Sequence, residues 1–366
     1  MEEITHRPLR QPLAPPGGID HHVRDMTATV SADVTLGQLQ AKLAAQGQWL
    51  PIDGDTDRSL GTLISTDSTG PLRLGYGAWR DLLLGVQFTN GRGELITAGG
   101  RTVKNVAGYD LTKFMVGQRG IFANLLTLTT RTYRQPAAAI LVRHPPDVQI
   151  LHRLIPTSLR PSWAILVRDA LLFGYLADDK TLAFYRSALS ASEPLEIRDQ
   201  SRDDDIACRR SLWEIDGARV FRVSVPPARL GEFTSRLTES RWAADAAFGI
   251  VCGVVSSDET LAAVREGAAN VGGACRFFRG LFGTAIDLST NPAERQIIER
   301  LKRAFDPDHR LNPGVKVPLP GQQSLGDIKY DPALPPPPPA AARALARVQR
   351  ERAYATPRLT LLAENS

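Results

Sequence analysis

Hydrophobic and polar positions change period several times along the chain, and each change marks an element. Met26 to Val34 alternates β-branched and small residues, which predicts a strand. Thr35-Leu36-Gly37-Gln38 then has the form of a capping box, and Leu36, Leu39 and Leu43 recur on one helical face until Gly47 can end the helix. Leu82–Phe88 and Glu94–Ala98 flank the turn Asn90-Gly91-Arg92-Gly93, a hairpin signal. Asp110 to Val116 reads as a short helix and Leu125–Tyr133 as another strand. From residue 138 to 290, strand-like segments (Ala164–Val167, Leu171–Tyr175, Val220–Val225, Phe248–Val254) alternate with helical ones (Lys180–Leu189, Ala228–Thr238, Asp258–Ala269), which predicts an α+β sandwich. Asn291-Pro292-Ala293-Glu294 opens a further helix, with Asn as cap and Pro in the first turn. Its apolar stripe is Ile297, Ile298, Leu301 and Phe305, and the turn-rich Asp306–Gly314 ends it. No internal repeat is visible.

These patterns divide the chain into five parts. Residues 1–25 are an extended leader rich in Pro, Gly and charge. Residues 26–137 form a first domain and 138–290 a second, α+β one. Residues 291–318 bring a helix and the Asn312-Pro313-Gly314 segment back to the first domain. Residues 319–366 are a tail in which Pro335–Pro339 must be extended, as polyproline II. Ala340–Tyr354, with Arg343, Arg347, Arg350 and Arg352, reads either as a basic helix able to dock on an acidic partner or membrane surface, or as a solvated extension.

Composition narrows the class. The 366 residues are 43% hydrophobic and 23% charged, as in an ordinary soluble globular protein, and long enough for two or three domains. No run of roughly 18 apolar residues predicts a membrane span, and MEEITHRPLR has no apolar core of a signal peptide. The net charge of +5 is spread out, without the basic cluster of a nucleic-acid binder. Cys208, Cys252 and Cys275 lie far apart and no CxxC occurs, so neither a zinc nor an iron–sulfur site is expected from this chain, and a reducing cytoplasm fits. His21-His22 sits in the leader and is expected to face solvent. Motifs for Ser hydrolases, zinc proteases, P-loops and Rossmann dinucleotide sites are all missing.

The chemistry therefore rests on glycine. Thirteen glycines fall between Pro51 and Gly120. Within that stretch, Gly61-Thr62-Leu63-Ile64-Ser65-Thr66-Asp67-Ser68-Thr69-Gly70 combines glycine with hydroxyls, as in a loop whose donors cradle a phosphate or a heterocycle edge. Gly117-Gln118-Arg119-Gly120 offers a second such turn. Both could equally be tight loops of an irregular β domain.

The segment Gly99-Gly100-Arg101-Thr102-Val103-Lys104-Asn105-Val106-Ala107-Gly108-Tyr109-Asp110-Leu111 closely resembles a signature of the FAD-binding subunit of bacterial glycolate oxidase (glycolate dehydrogenase). That family has the FAD-linked oxidase fold of the vanillyl-alcohol oxidase and p-cresol methylhydroxylase (PCMH) type. Gln48-Trp49-Leu50-Pro51, Tyr76-Gly77, Arg80-Asp81-Leu82, Gly85 and the ending Phe305-Asp306-Pro307…Leu311-Asn312-Pro313-Gly314 match in the same order. The resemblance implies an α+β chain: a PCMH-type FAD-binding domain, N-terminally truncated so that the family's pyrophosphate-loop segment is lacking, then an α+β cap domain and a Pro-rich tail. It implies FAD as cofactor. Its contacts would come from Pro51 and the loop carrying Gly61, Thr62, Ser65, Thr66, Ser68 and Gly70. Further contacts would come from Lys104, Asn105, Gly108, Tyr109 and Asp110, from Gly117, Gly120 and Ile121, and from Asn312. For Lys104 and Asp110 an ion pair or a helix cap is the other reading. No residue stands out as a general base, and no metal site is implied.

Besides the missing loop, two departures from the family accompany the match. Thr62 stands where the family has a second glycine, and Gly120-Ile121-Phe122-Ala123 where it has Gly-Thr-Leu-Gly, so Phe122 is expected to fill space beside the cofactor. Two functions follow. In the first, the chain is the FAD-binding subunit of a glycolate oxidase-like complex that oxidises a small 2-hydroxy acid with a sister flavoprotein and an iron–sulfur subunit. That complex would be cytoplasmic, or peripheral at the inner membrane through its partners. In the second, it is a flavin-free paralogue acting as scaffold or assembly subunit.

Overall fold

The computed structural model describes residues 17–100, 110–190, 195–215, 217, 220–237, 241–277 and 292–311. The first unit is built on an antiparallel sheet of five strands in the order β1-β2-β6-β4-β5. These are β1 (Ile19–His22), β2 (Thr27–Ser31), β4 (Leu83–Thr89), β5 (Leu95–Gly99) and β6 (Asn124–Arg131); β3 (Gln48–Trp49) pairs separately with β7 (Tyr133–Arg134). The stretch expected to be a leader thus contributes an edge strand, since Ile19–His22 pairs with Thr27–Val30 across a tight turn. His21 correspondingly turns inward, its Nε2 lying 3.0 Å from Gln48 Oε1.

The alternation in β2 sorts its two faces. Ala28 and Val30 enter the apolar core with Leu128, Val86 and Phe88. Thr29 lies on the other face, opposite Thr129 in register, with the two hydroxyls 3.1 Å apart. Helix α1 (Leu36–Ala44) buries Leu36, Leu39 and Leu43 against this core. Both halves of its capping box are formed: Thr35 Oγ1 accepts from Gln38 N at 3.1 Å, and Gln38 Oε1 accepts from Thr35 N at 2.9 Å. Such a cap is worth roughly 1 kcal/mol. The short helices α2 (Leu60–Ser65), α3 (Arg73–Tyr76), α4 (Trp79–Leu82) and α5 (Leu111–Phe114) complete the unit.

The second unit is one continuous antiparallel sheet of eight strands, in the order β11-β8-β10-β9-β13-β14-β12-β15. Its first half runs β8 (Ala138–His144), α6 (Gln149–Leu154), β9 (Trp163–Val167), β10 (Ala170–Ala177), α7 (Asp179–Ser190) and β11 (Glu196–Ser201). Its second half runs β12 (Val220–Ser224), α9 (Leu230–Thr234), β13 (Trp242–Asp245), β14 (Ile250–Val254), α10 (Asp258–Asn270) and β15 (Ala274–Phe277). Each half is βαββαβ with the strand order 4-1-3-2, and the halves join where β9 meets β13 at Leu166↔Ala244 and Ile165↔Asp245. The second unit is therefore an internal repeat of topology, which the sequence pattern does not announce. One residue pair marks it. Trp163 faces Gly174 across β9–β10, and Trp242 faces Gly253 across β13–β14, with Trp and Gly eleven positions apart both times.

Helices α6, α7, α9 and α10 contribute residues to the core on one face of this sheet, and β10 shows the consequence. Leu171, Phe173 and Tyr175 point to that face, while Ala170, Leu172 and Leu176 point to the other and meet residues of the first unit. A strand covered on both sides reads as an unbroken apolar run rather than an alternation. The second face is closed over the first repeat by α8 (Arg202–Trp213), which links the two halves. The helix α11 (Pro292–Phe305) returns to the first unit, where Ile298, Leu301 and Phe305 pack on Ile121 and Phe122.

Candidate functional site

The residues expected to form the Gly61–Gly70 loop begin as a helix. Ser59 caps α2, accepting from Thr62 N at 3.3 Å, and its hydroxyl lies 2.9 Å from that of Thr62. Leu60 N donates to Val34 O and Gly61 N to Ala32 O, both at 2.8 Å, and Leu63 N donates to Ser59 O. The amides of the first turn are thus spent on protein acceptors, and this end of the helix offers them to no anion. Gly61 is a packing residue: a Cβ there would lie 2.9 Å from Ala32 O and 3.0 Å from Ala32 Cβ. The helix starts here because the chain entering α1 accepts from its two leading amides and Ser59 from the next two.

The other end of α2 is where the two predicted turns come together. Gly117 N donates to Ile64 O at 2.9 Å and Arg119 N to Ser65 O at 2.7 Å. Four residues here hold positive φ: Asp67 (50°), Gly117 (79°), Arg119 (55°) and Gly120 (73°). For a non-glycine residue that conformation costs about 1–3 kcal/mol and persists only where surrounding contacts impose it. Gln118 imposes it from inside. Its buried amide donates to Ala123 O at 3.0 Å and accepts from Phe122 N at 3.1 Å. On the outer side, Thr66 and Asp67 are exposed, and Ser65, Ser68, Gly117, Arg119 and Gly120 are half-buried. The result is a polar lip of hydroxyls and main chain, held rigid by hydrogen bonds across two segments 50 residues apart. Behind it the buried Trp79 indole donates to Ser68 O at 2.8 Å.

The remaining predicted residues divide. Pro51 and Gly70 are buried, and Asp53, two residues past Pro51, accepts from Leu72 N at 2.7 Å. Asp110 caps α5, accepting from Lys113 N at 3.1 Å and lying 3.3 Å from Lys113 Nζ. Its cap reading is the one the geometry carries. Ile121 is buried, and its carbonyl accepts from Lys302 Nζ at 2.7 Å. Lys104, Asn105, Gly108, Tyr109 and Asn312 lie outside the described residues, as does the tail. Phe122 does not reach into free space beside the lip. Its ring packs 5.0 Å from Phe114 and 6.2 Å from Phe305, so it holds α11 to the first unit.

Sequence reasoning missed a buried charge cluster in the seam between the units. Arg209 on α8 donates from Nε to Asp205 at 2.9 Å and from Nη1 to Asp53 of the first unit. Trp163 Nε1 also donates to Asp205, at 2.7 Å. Asp205 is 0% exposed and Arg209 4%. Burial, only partly offset by Arg209, pushes the Asp205 carboxyl above the usual carboxylate range. A second pair spans the same seam: Arg73 Nε donates to Asp245 at 2.8 Å while its guanidinium stacks 3.9 Å over the Phe248 ring. Burial pushes Asp245 up to about 7 despite Arg73, with Asp53 adding to the rise. Beside the cluster, Trp49, Tyr76 and Tyr133 stack edge to face, and burial pushes Tyr76 up to about 12. The Asp205–Arg209 spacing of four is legible on a helix; its burial is not.

Residues 16–99 match the model of a family described as an FAD binding domain. That match covers β1 to β5 and the whole of α2, and it decides the class of the first unit. The chain carries an FAD-binding domain of the PCMH type. The chain is 29% identical over 136 residues to glycolate oxidase subunit GlcE of Escherichia coli, covering 36% of this chain and 39% of that one. It is 27% identical over 140 residues to mitochondrial D-lactate dehydrogenase (cytochrome) of Arabidopsis thaliana, covering 35% of this chain and 25% of that one. These matches therefore span well under half the length of the relatives. Among solved structures, an alkyldihydroxyacetonephosphate synthase shares the fold over 79% of this chain and 64% of its own, with a TM-score of 0.58 at 14% identity. The fold likeness thus extends far beyond the FAD-binding domain, into the double-repeat unit that follows it.

Proposed function

We propose that this chain is the FAD-binding subunit of a glycolate oxidase-like complex that oxidises a small 2-hydroxy acid to the 2-oxo acid. The observation that carries this reading is the strained lip where α2 meets the Gly117–Gly120 turn inside an FAD-binding domain. The lip fits a flavin or its diphosphate arm. It presents hydroxyls and main-chain groups, and a Cβ at Gly117 would meet only Asp67, at 3.4 Å. Ser65, Thr66, Ser68, Arg119 and Gly120 would bind and orient the cofactor there, while Gln118 and Trp79 keep the two turns in register. The N-terminus of α2 takes no part, because its amides are already satisfied. When bound, FAD supplies two-electron acceptance from the carbinol carbon of the substrate. The double-repeat unit would cover the reacting region and exclude water, with the buried seam holding it in one orientation.

The names of the relatives support the substrate class, since glycolate and D-lactate are both 2-hydroxy acids. A multi-subunit assembly with a sister flavoprotein and an iron–sulfur subunit, in the cytoplasm or at the inner membrane through those partners, belongs to the same proposal. No helix among the described residues is long and apolar enough to cross a membrane. A flavin-free paralogue acting as scaffold would share the same family match, so the two readings are separated by whether the chain holds flavin. The test is the visible absorption spectrum of the purified full chain, with acid release and chromatographic identification of the flavin. Stoichiometric FAD that is bleached by glycolate or D-lactate is the expected result. A colourless folded protein that also takes up no added FAD would overturn the proposal.

A further inference from the structure

Lys302 on α11 is 2% exposed, yet its ammonium has a full set of acceptors. It donates to Ile121 O at 2.7 Å, to Leu311 O at 2.8 Å, and to Asp306 Oδ2. An ammonium has three N–H groups, so none is left over. The acceptors come from three places: the end of the Gly117–Ile121 turn, the residue that follows the helix, and the residue just before Asn312. Asp306, fully buried, completes the arrangement. Its Oδ1 accepts from Arg310 N and its Oδ2 from Leu311 N, both at 2.8 Å. The hairpin turn closes on it from the far side, where Gly91 N donates to Phe305 O at 2.8 Å. A Cβ at Gly91 would fall 2.0 Å from Asp306 Oδ1. Burial pulls the Lys302 pKa below the usual lysine range, an effect that Asp306 only partly offsets.

A buried charge of this kind is costly to keep, and replacing it by apolar residues is often neutral for stability. Anchoring α11 alone would not require it, because Phe305, Leu301 and Ile298 already pack on Phe122 and Ile121. What only the ammonium does is tie the main chain of the lip to the main chain that leads into Asn312. We propose that Lys302 is a positioning residue of the flavin site, which fixes the Gly117–Ile121 turn against the returning C-terminal segment. This rests on the FAD reading above and names the device that holds one side of that site.

The test compares the full chain with Lys302→Met, which keeps length and apolar contacts, with Lys302→Arg, which keeps charge, and with Arg303→Met on the exposed side of the same helix. Two quantities are read: hydrogen exchange of residues 117–123 and 306–311, and FAD affinity from flavin fluorescence titration. In Lys302→Met both segments are expected to exchange faster together and FAD to bind about tenfold more weakly, as expected for lost hydrogen bonds from a charged donor. Lys302→Arg should recover part of both, and Arg303→Met should change neither. Unchanged exchange at 117–123 would overturn the proposal. So would FAD affinity within about twofold of the parent once the turn is loosened, which would leave Lys302 a purely structural anchor. Should Lys302→Met fail to fold, Lys302→Gln decides on the same readouts. If the parent chain binds no FAD, it is the functional reading that falls, and the exchange data judge the tie by themselves.

Discussion

Replacing Arg209 by Met leaves two carboxylates in the seam without their cation. Asp205 is the critical one, being fully buried, and after the substitution only the Trp163 indole still donates to it. Breaking a buried pair from one side costs about 3–5 kcal/mol, because the remaining charge stays desolvated. The chain has one escape, which is to protonate Asp205. Its carboxyl is already above the ordinary range with Arg209 present, and removing Arg209 raises it further. A carboxyl with a raised folded-state pKa binds its proton more tightly when folded. The stability it contributes is therefore lost as pH rises from the ordinary carboxylate range up through the folded pKa.

The Arg209→Met variant should accordingly be less stable than the parent by about 4 kcal/mol at pH 7. Going to pH 5 lowers the cost of protonating Asp205 by about 1.4 kcal/mol per pH unit, so up to about 2.8 kcal/mol, roughly two-thirds of the deficit, should be recovered there. Urea unfolding of both proteins at pH 5, 6, 7 and 8 measures this directly. Adding Asp205→Asn to Arg209→Met should be less damaging than the two single costs added together, since the uncompensated charge is then gone. A deficit below about 1 kcal/mol at pH 7 would refute the reasoning. So would a deficit that does not change with pH, because it would mean that water reaches Asp205.

Two further outcomes follow from the same structure. Asp245, pushed up to about 7 by burial, should make the parent lose stability as pH rises from about 4 to 7; Asp245→Asn should flatten that slope in the same urea series, and an unchanged slope would show that another group titrates there. Phe122→Ala should cost about 3–5 kcal/mol by emptying the contact with Phe114 and Phe305, whereas an FAD affinity that rises with little loss of melting temperature would mean that the ring had been occupying cofactor space.

Much of the fold was legible wherever local rules agree with tertiary ones. Thr35 and Gln38 announce the capping box, the Asn90–Gly93 turn announces its hairpin, and the apolar run in β10 announces a strand. The misses have physical causes. Helix α2 reads as a loop because two glycines and six hydroxyl or acidic residues crowd residues 61–70, while the leading amides of the helix find their acceptors on Ala32 and Val34. Ile19–His22 reads as leader because an edge strand of four residues is too short to show a period. The topological repeat hides because its two halves share a pattern of strand pairing rather than a pattern of side chains. Only the Trp-Ala that begins β9 and β13, each followed by a glycine eleven positions after its Trp, is common to both, and the two indoles fall in different core clusters. In the site, glycine and hydroxyl content pointed to the lip. Neither could point to Lys302, whose role depends on carbonyls that belong to other segments.

The seam also explains why charge is buried there at all. Its adhesion comes from apolar contact: Trp49 and Leu72 meet Trp163, Ile165 and Leu172, and Tyr76 stacks between Trp49 and Tyr133. Apolar surfaces slide over one another at little cost, since dispersion and hydrophobic burial are not directional. Hydrogen-bonded ions do not slide. A shift large enough to separate Asp53 from Arg209, or Arg73 from Asp245, leaves a desolvated charge on each side, a far larger cost than any lost contact. The two ion pairs are anchored at different places, one on α8 and one at the end of β13, where the two repeats join. Two such points, with the Gly75 N to Ser162 O bond at 3.0 Å as a third, fix a rigid body in all but small rotations. The second unit is thus held in register by charge and held in contact by apolar area. A unit that swings away from its neighbour would need the reverse, with its ions solvated and its apolar area small.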